Sequence, residues 1–159
     1  MGIAILIHSS KTMRSATPIV PMTTPALIAK AEELATYVRT LSSTQIQKTM
    51  SLSETLARKT HATWAEWNAK PSEQSLAIDS FIGDIYSGLQ ANTLSAQDRD
   101  YAQQTLRILS GLYGILRPYD GVRPYRLEMG YKLPYSHYKS LYAYWGMSIA
   151  EALPTDGLV

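Results

Sequence analysis

Six consecutive apolar residues, Gly2 to Ile7, set the narrowest limit on the architecture open to this chain, because the polar run His8-Ser9-Ser10-Lys11-Thr12 closes them at once. A short continuous apolar run, unlike an alternating one, fits a strand covered on both faces, as in the middle of a sheet flanked by helices. The run is far below the roughly 20 residues of a membrane helix, and no basic segment precedes it as in a signal peptide. The expectation is a cytoplasmic protein with no membrane partner. The sequence holds no cysteine, which removes disulfides, thiolate metal sites and a cysteine nucleophile.

Helical signals follow. Pro18, Pro21 and Pro25 mark an extended loop, after which Thr24 and Pro25 read as the cap and first position of a helix carrying Leu27, Ile28, Ala31, Leu34, Ala35 and Val38 on one face. Ser43 or Thr44 is expected to cap a short helix through Met50, and Ser53 one that runs to about Asn68. Residues 73–81 read as a helix or a helix leading into a strand. Ser95 and Asp98 resemble a capping box, opening a helix expected to continue through Leu109, and a last helix is expected over 138–153. With no internal repeat and no low-complexity linker, residues 1–159 read as one domain of the α/β class, a small central sheet surrounded by helices. The final Pro154 to Val159 reads as a turn entering a new strand, a parallel neighbour for the first, so the expected fold is incomplete, the first part of a longer one.

Charge is uneven. From Arg107 to Lys139 there are six bases and two acids, and nine of the eleven tyrosines fall between Tyr101 and Tyr144. Bases interleaved with aromatics can neutralise phosphates and stack on nucleobases. Tyrosines with long basic neighbours also cover half-buried helical layers, and composition alone favours that second account.

Several motifs carry chemistry. Ser9, Lys11 and Thr12 follow a central strand, at the sheet edge where open α/β folds bind ligands, and a lysine among hydroxyls suits a phosphate or carboxylate. The loop lacks the glycines of a nucleotide-binding loop. Asp84, beside Tyr86, sits among apolar residues, so it is expected to be partly buried and to pair with an arginine of the basic region. Gly111 and Gly114 are read as a hairpin between two helices that offers backbone N–H groups to a DNA phosphate, or as glycines required by packing or a turn. Arg107, Arg117, Arg123, Arg126 and Lys132 extend that anion-binding surface. Tyr125, Arg126 and Glu128 form a charged corner in which Arg126 and Glu128 share a side if extended. His61, Trp64 and Trp67 are packing residues at helical spacing. His8, His61 and His137 show no ligand spacing, so no metal and no cofactor are expected.

Four segments together resemble the peroxide-stress protein YaaA family: His8-Ser-Ser-Lys-Thr-Met13, similar to that family's Ser-Pro-Ala-Lys-Thr-Leu; Phe81-Ile-Gly-Asp-Ile-Tyr-Ser-Gly-Leu89; Leu106 to Pro118 with Pro124 to Gly130; and Leu141-Tyr-Ala-Tyr-Trp-Gly146. The departures are His8-Ser9-Ser10 in place of Ser-Pro-Ala, and Met147 where the family has an acid. The family's later Asn-Leu-Ala-Ser and basic segments have no counterpart here. The resemblance implies a role in the peroxide-stress response, limiting damage by unincorporated iron. On it rests the leading expectation, a non-enzymatic protein that binds double-stranded DNA through a basic cleft with a helix-hairpin-helix element. The alternatives are an enzyme acting on a phosphorylated or nucleotide ligand at Lys11, Asp84 and Arg126, and an inactive fragment.

Overall fold

The computed structural model describes residues 2–134 and 136–159. The opening apolar run forms β1 (Gly2–Ile3) and β2 (Ile5–His8), one nearly continuous strand, followed by β3 (Thr12–Met13). Three helices come next, α1 (Ile28–Arg39), α2 (Ser43–Met50) and α3 (Glu54–Glu66). The middle of the chain is built of short pieces: β4 (Ser75–Leu76), α4 (Ala77–Ser80), β5 (Phe81–Ile82) and α5 (Asp84–Leu89). The rest comprises α6 (Ala96–Thr105), β6 (Leu106–Ser110), β7 (Gly114–Leu116), β8 (Gly121–Val122), α7 (Leu141–Trp145), α8 (Ser148–Glu151) and β9 (Gly157–Leu158).

β2 pairs in parallel with β6, and β6 turns back antiparallel into β7. β1 pairs in parallel with β9, so the expected parallel neighbour forms, in the register Gly2 to Gly157 and Ile3 to Leu158. Two small antiparallel pairs, β3 with β5 and β4 with β8, tie the middle segments to the sheet. The architecture is α/β, as the sequence implies.

The helix starts follow from side-chain caps. Ser42 accepts from the Gln45 N–H while the Gln45 side chain accepts from the Ser42 N–H, closing a capping box one residue before Ser43 and two before Thr44, the expected caps. Ser53 caps α3 as expected, and Ser95 with Asp98 closes the second box. α1 starts at Ile28 instead of at Pro25: the Pro25 carbonyl accepts from the Ile28 N–H in a turn before the helix, and no side chain caps it. The final helix is two short ones, separated where Gly146 takes φ +48°.

Two further corrections bear on function. The helix opened by Ser95 stops at Thr105, and Leu106–Ser110 is a strand whose buried Leu106, Ile108 and Ser110 alternate with half-buried Arg107 and Leu109. That period of two marks a sheet residue run, not a helix. The first strand is also less covered than its composition implies, with Ile3, Ile5 and Leu6 exposed.

One core joins the α1–α3 layer to the sheet through Leu34, Val38, Ile46, Trp64, Ile108, Leu112 and Leu116. An aromatic cluster fills its centre: Trp67 lies 6.1 Å from Tyr113, Tyr113 lies 5.6 Å edge-on to Tyr125, and Tyr125 lies 6.4 Å edge-on to Phe81. Such edge-to-face pairs add about 0.5–1.5 kcal/mol each beyond area burial. Trp64 and Trp67 are thus core residues, as their spacing implies, and His61 faces solvent.

Candidate ligand-binding cleft

The loop between β2 and β3 is shaped by Ser10. Its hydroxyl donates to the Ile82 carbonyl and accepts from the Thr12 N–H at 3.1 Å, pinning the loop to the end of β5. Gly83 lies against it, so that a Cβ there would sit 3.2 Å from the Ser10 hydroxyl. Tyr86, buried on α5, donates from its hydroxyl to the His8 carbonyl at 2.9 Å and fixes the end of β2. Burial raises the Tyr86 pKa, so this phenol is a neutral donor.

The opposite side is built by 123–130. Gly111 stands so close to this segment that a Cβ would lie 2.0 Å from the Leu127 carbonyl oxygen. The Ser110 hydroxyl shares a 2.5 Å hydrogen bond with the Tyr125 hydroxyl and accepts from the Tyr113 N–H at 3.0 Å. Burial pushes the pKa of the Tyr125 phenol up to about 12.

Between these two walls opens a cleft of about 860 Å3, lined by Ser9, Ser10, Lys11, Thr12, Asp84, Tyr86, Gly111, Tyr125, Arg126 and Glu128, with Ile82, Leu109, Met129 and Tyr142 among its apolar surfaces. Lys11 and Glu128 form an ion pair at 3.4 Å, both partly exposed. Glu128 also accepts from the Tyr131 hydroxyl at 2.6 Å. Burial first, and then this carboxylate, raise the Tyr131 pKa. Lys11, Asp84 and Arg126, far apart in sequence, line one opening.

The remaining predicted residues lie elsewhere or act differently. Asp84 is exposed at the first position of α5 and has no arginine partner among the described ion pairs. The buried carboxylate–arginine pair is instead Asp79 with Arg99, at 2.5 and 3.2 Å, which the sequence reading missed. Glu128 takes Lys11, not Arg126, as its cation. Arg107 donates to the Gln103 and Leu106 carbonyls, and burial followed by the neighbouring Arg117 lowers its pKa. Arg117 pairs with buried Asp120 at 3.2 Å, and Arg123 pairs with Glu73. Lys132 is exposed and bridges Ser140 through its backbone, outside the cleft lining.

No helix-hairpin-helix element forms at Gly111 and Gly114. The two glycines bracket the β6–β7 turn: Gly111 is required by the Leu127 carbonyl, and Gly114 by φ +73° and a Trp145 ring 2.9 Å from its would-be Cβ. Tyr142, 67% exposed on α7, is a cleft residue that the sequence reading did not single out. It stands in a segment where Leu141, Tyr144 and Trp145 are buried while Tyr142 and Ala143 are exposed, and nothing in the residue types alone marks it as a cleft residue. Among the described residues no group of three or more His, Asp or Glu side chains could hold a metal ion, and no helix is long and apolar enough to cross a membrane.

Comparison with known proteins gives the family. A family model described as peroxide stress protein YaaA matches residues 3–159. A UPF0246 protein of Salinispora tropica is 56% identical over 156 residues, covering 98% of this chain and 59% of its own length. UPF0246 proteins of Burkholderia multivorans and Burkholderia lata are each 42% identical over 153 residues, covering 94% of this chain and 59% of theirs. The chain thus spans about three fifths of the length of these curated relatives. With a family model matched almost from end to end and a relative more than half identical, this chain belongs to the YaaA family of peroxide stress proteins.

Proposed function

We propose that this chain serves the peroxide-stress role of its family by binding the phosphate backbone of duplex DNA in the Lys11–Arg126 cleft. The observation that carries the reading is that Lys11 and Arg126, brought from two distant loops, line with the hydroxyls of Ser9 and Thr12 one opening of about 860 Å3. An ammonium, a guanidinium and hydroxyl donors make a phosphate-holding set. Iron and peroxide generate radicals that cut the DNA backbone, so a protein seated on it shields what those radicals attack.

The footprint is smaller than the basic region implies. Arg107, Arg117 and Arg123 are engaged with carbonyls and carboxylates of the same chain. Two neutralised phosphates give a slope of log K against log salt of about −1.8, whereas six would give about −5.4. Fluorescence anisotropy of a labelled duplex between 50 and 200 mM salt separates the two, and Lys11→Gln or Arg126→Gln should each flatten the slope by about 1. Affinity that does not change with salt overturns the reading.

A second reading has its own support. Asp84 and Glu128 line the same cleft, so its two bases meet two acids. A charge-balanced opening of this kind also suits an enzyme acting on a small phosphorylated or nucleotide ligand. Binding of a mononucleotide with no binding of duplex DNA would install that reading in place of the first.

A further inference from the structure

A second cavity lies apart from the cleft, between α1 on one side and Leu133, Tyr138 and Tyr144 on the other. Its volume is about 230 Å3, and none of its lining residues also lines the cleft. Four rings line it, those of Tyr37, His137, Tyr138 and Tyr144, together with one acid, Glu33. On α1 the residues Lys30, Glu33, Leu34 and Tyr37 recur at helical spacing and so share one face. The Tyr37 hydroxyl donates to the Pro134 carbonyl and ties the opposite wall to the helix. The Tyr144 hydroxyl donates to the Lys30 carbonyl at 2.8 Å and lies 3.2 Å from a Glu33 carboxylate oxygen. Burial first, and then this carboxylate, raise the Tyr144 pKa, so the phenol is a neutral donor.

The chemistry of these walls selects a cation. Tyr138 stands edge-on to Tyr144, with ring centres 5.0 Å apart at 85°, and His137 lies 4.3 Å from Tyr138. The negative face of an aromatic ring attracts a cation within about 6 Å. The chain itself uses that attraction beside the cavity: the Lys30 ammonium lies 4.8 Å from the centre of the Tyr144 ring and 5.9 Å from that of Trp145, without lining the cavity. Glu33 is exposed and has no cationic partner among the described ion pairs. The volume falls below the about 300–1,000 Å3 of pockets for drug-sized ligands, which limits the occupant to a small head group. A primary ammonium brings three N–H donors that each need an acceptor, whereas the Tyr37 and Tyr144 hydroxyls are committed as donors within the chain. An ammonium carrying methyls in place of hydrogens needs no acceptor and presents a charged, apolar surface to the rings.

We propose that this cavity binds a small methylated ammonium head group, with the rings of Tyr37, Tyr138 and Tyr144 against its methyls and the Glu33 carboxylate balancing its charge.

Choline is the probe, and the control for shape is the neutral alcohol in which tert-butyl replaces trimethylammonium. Both are titrated at fixed ionic strength into isotope-labelled protein and followed by the amide shifts of residues 33–37 and 136–144. Choline should saturate in the millimolar range and bind about fivefold or more tighter than the alcohol. Glu33→Gln, which keeps an acceptor beside the Tyr144 hydroxyl, should weaken choline by about 1.4- to 5-fold and leave the alcohol unchanged. Tyr138→Leu, which keeps apolar bulk without a ring face, should weaken choline by about 2- to 5-fold. If Tyr138→Leu fails to fold, the exposed Glu33→Gln and the alcohol control still decide. Equal binding of choline and the alcohol overturns the proposal, because the cavity would then be selecting apolar bulk alone. So does ethanolamine binding as tightly as choline, or the absence of any saturable shift with choline.

Discussion

Glu128→Gln is the sharpest test of the cleft. In the free protein Glu128 competes for Lys11, so any phosphate that takes Lys11 must first separate this pair. At 3.4 Å two unit charges attract by about 1.2 kcal/mol in a water-like dielectric. Both side chains are more than a third exposed, and exposed pairs of this kind contribute about 0.2–1 kcal/mol after solvent screening. Glutamine keeps an acceptor for the Tyr131 hydroxyl, so the wall retains its shape while the charge disappears. Freeing Lys11 should tighten binding of a labelled duplex by about 1.4- to 5-fold, the conversion of that range at RT ≈ 0.59 kcal/mol. Anisotropy titration at 50 mM salt, with a melting curve as a check on folding, reads both quantities. Lys11→Gln combined with Glu128→Gln should show none of the gain, because the cation being freed is gone. A folded Glu128→Gln protein that binds no tighter refutes competition for Lys11. One that binds more weakly means that Glu128 itself contacts the ligand.

Three further outcomes follow from the packing. Gly111→Ala should destabilise the fold by more than about 2 kcal/mol, since its methyl would meet the Leu127 carbonyl oxygen at 2.0 Å and push the 125–128 wall outward; a near-normal melting temperature would contradict this packing. Arg99→Ala should cost about 3–5 kcal/mol by leaving Asp79 unpaired in a largely buried site, measured by urea unfolding, and the double variant with Asp79→Asn should recover part of that loss. Tyr125 titrates at about 12 in the folded chain against about 10 unfolded. Its raised value favours the neutral phenol, so the stability it lends is complete below pH 10 and is lost as pH climbs toward 12. Stability followed across that window should fall less steeply in Tyr125→Phe, and an identical alkaline limb would contradict the assignment.

What the sequence disclosed and what it hid divide along one physical line. Local chemistry reads well from neighbours: the Ser53 cap, the Ser95–Asp98 box and the helical face of α1 each need only residues a few positions apart. The strand at 106–110 was misread because the apolar Leu106, Ile108 and Leu109 also continue the spacing of α6, and only pairing with β2 on one side and β7 on the other decides between the two periods. The same error made the β6–β7 turn look like a hairpin between helices. Charge was harder still. A guanidinium reads as free in a sequence, but Arg117 is claimed by Asp120 three residues away and Arg123 by Glu73 fifty residues away. Burial sorted the acids in the same manner: Asp79 went inside with Arg99, while Asp84, flanked by apolar residues in sequence, emerged at a helix start. The cleft survived this sorting because its makers are backbone constraints as much as charges. Ser10 pins one loop to β5, and the missing side chain of Gly111 admits the other, so Lys11 and Arg126 meet wherever those two contacts hold. A change that opens either contact should therefore weaken ligand binding without touching a charged residue, which separates a cleft held by its walls from a surface held by its charges.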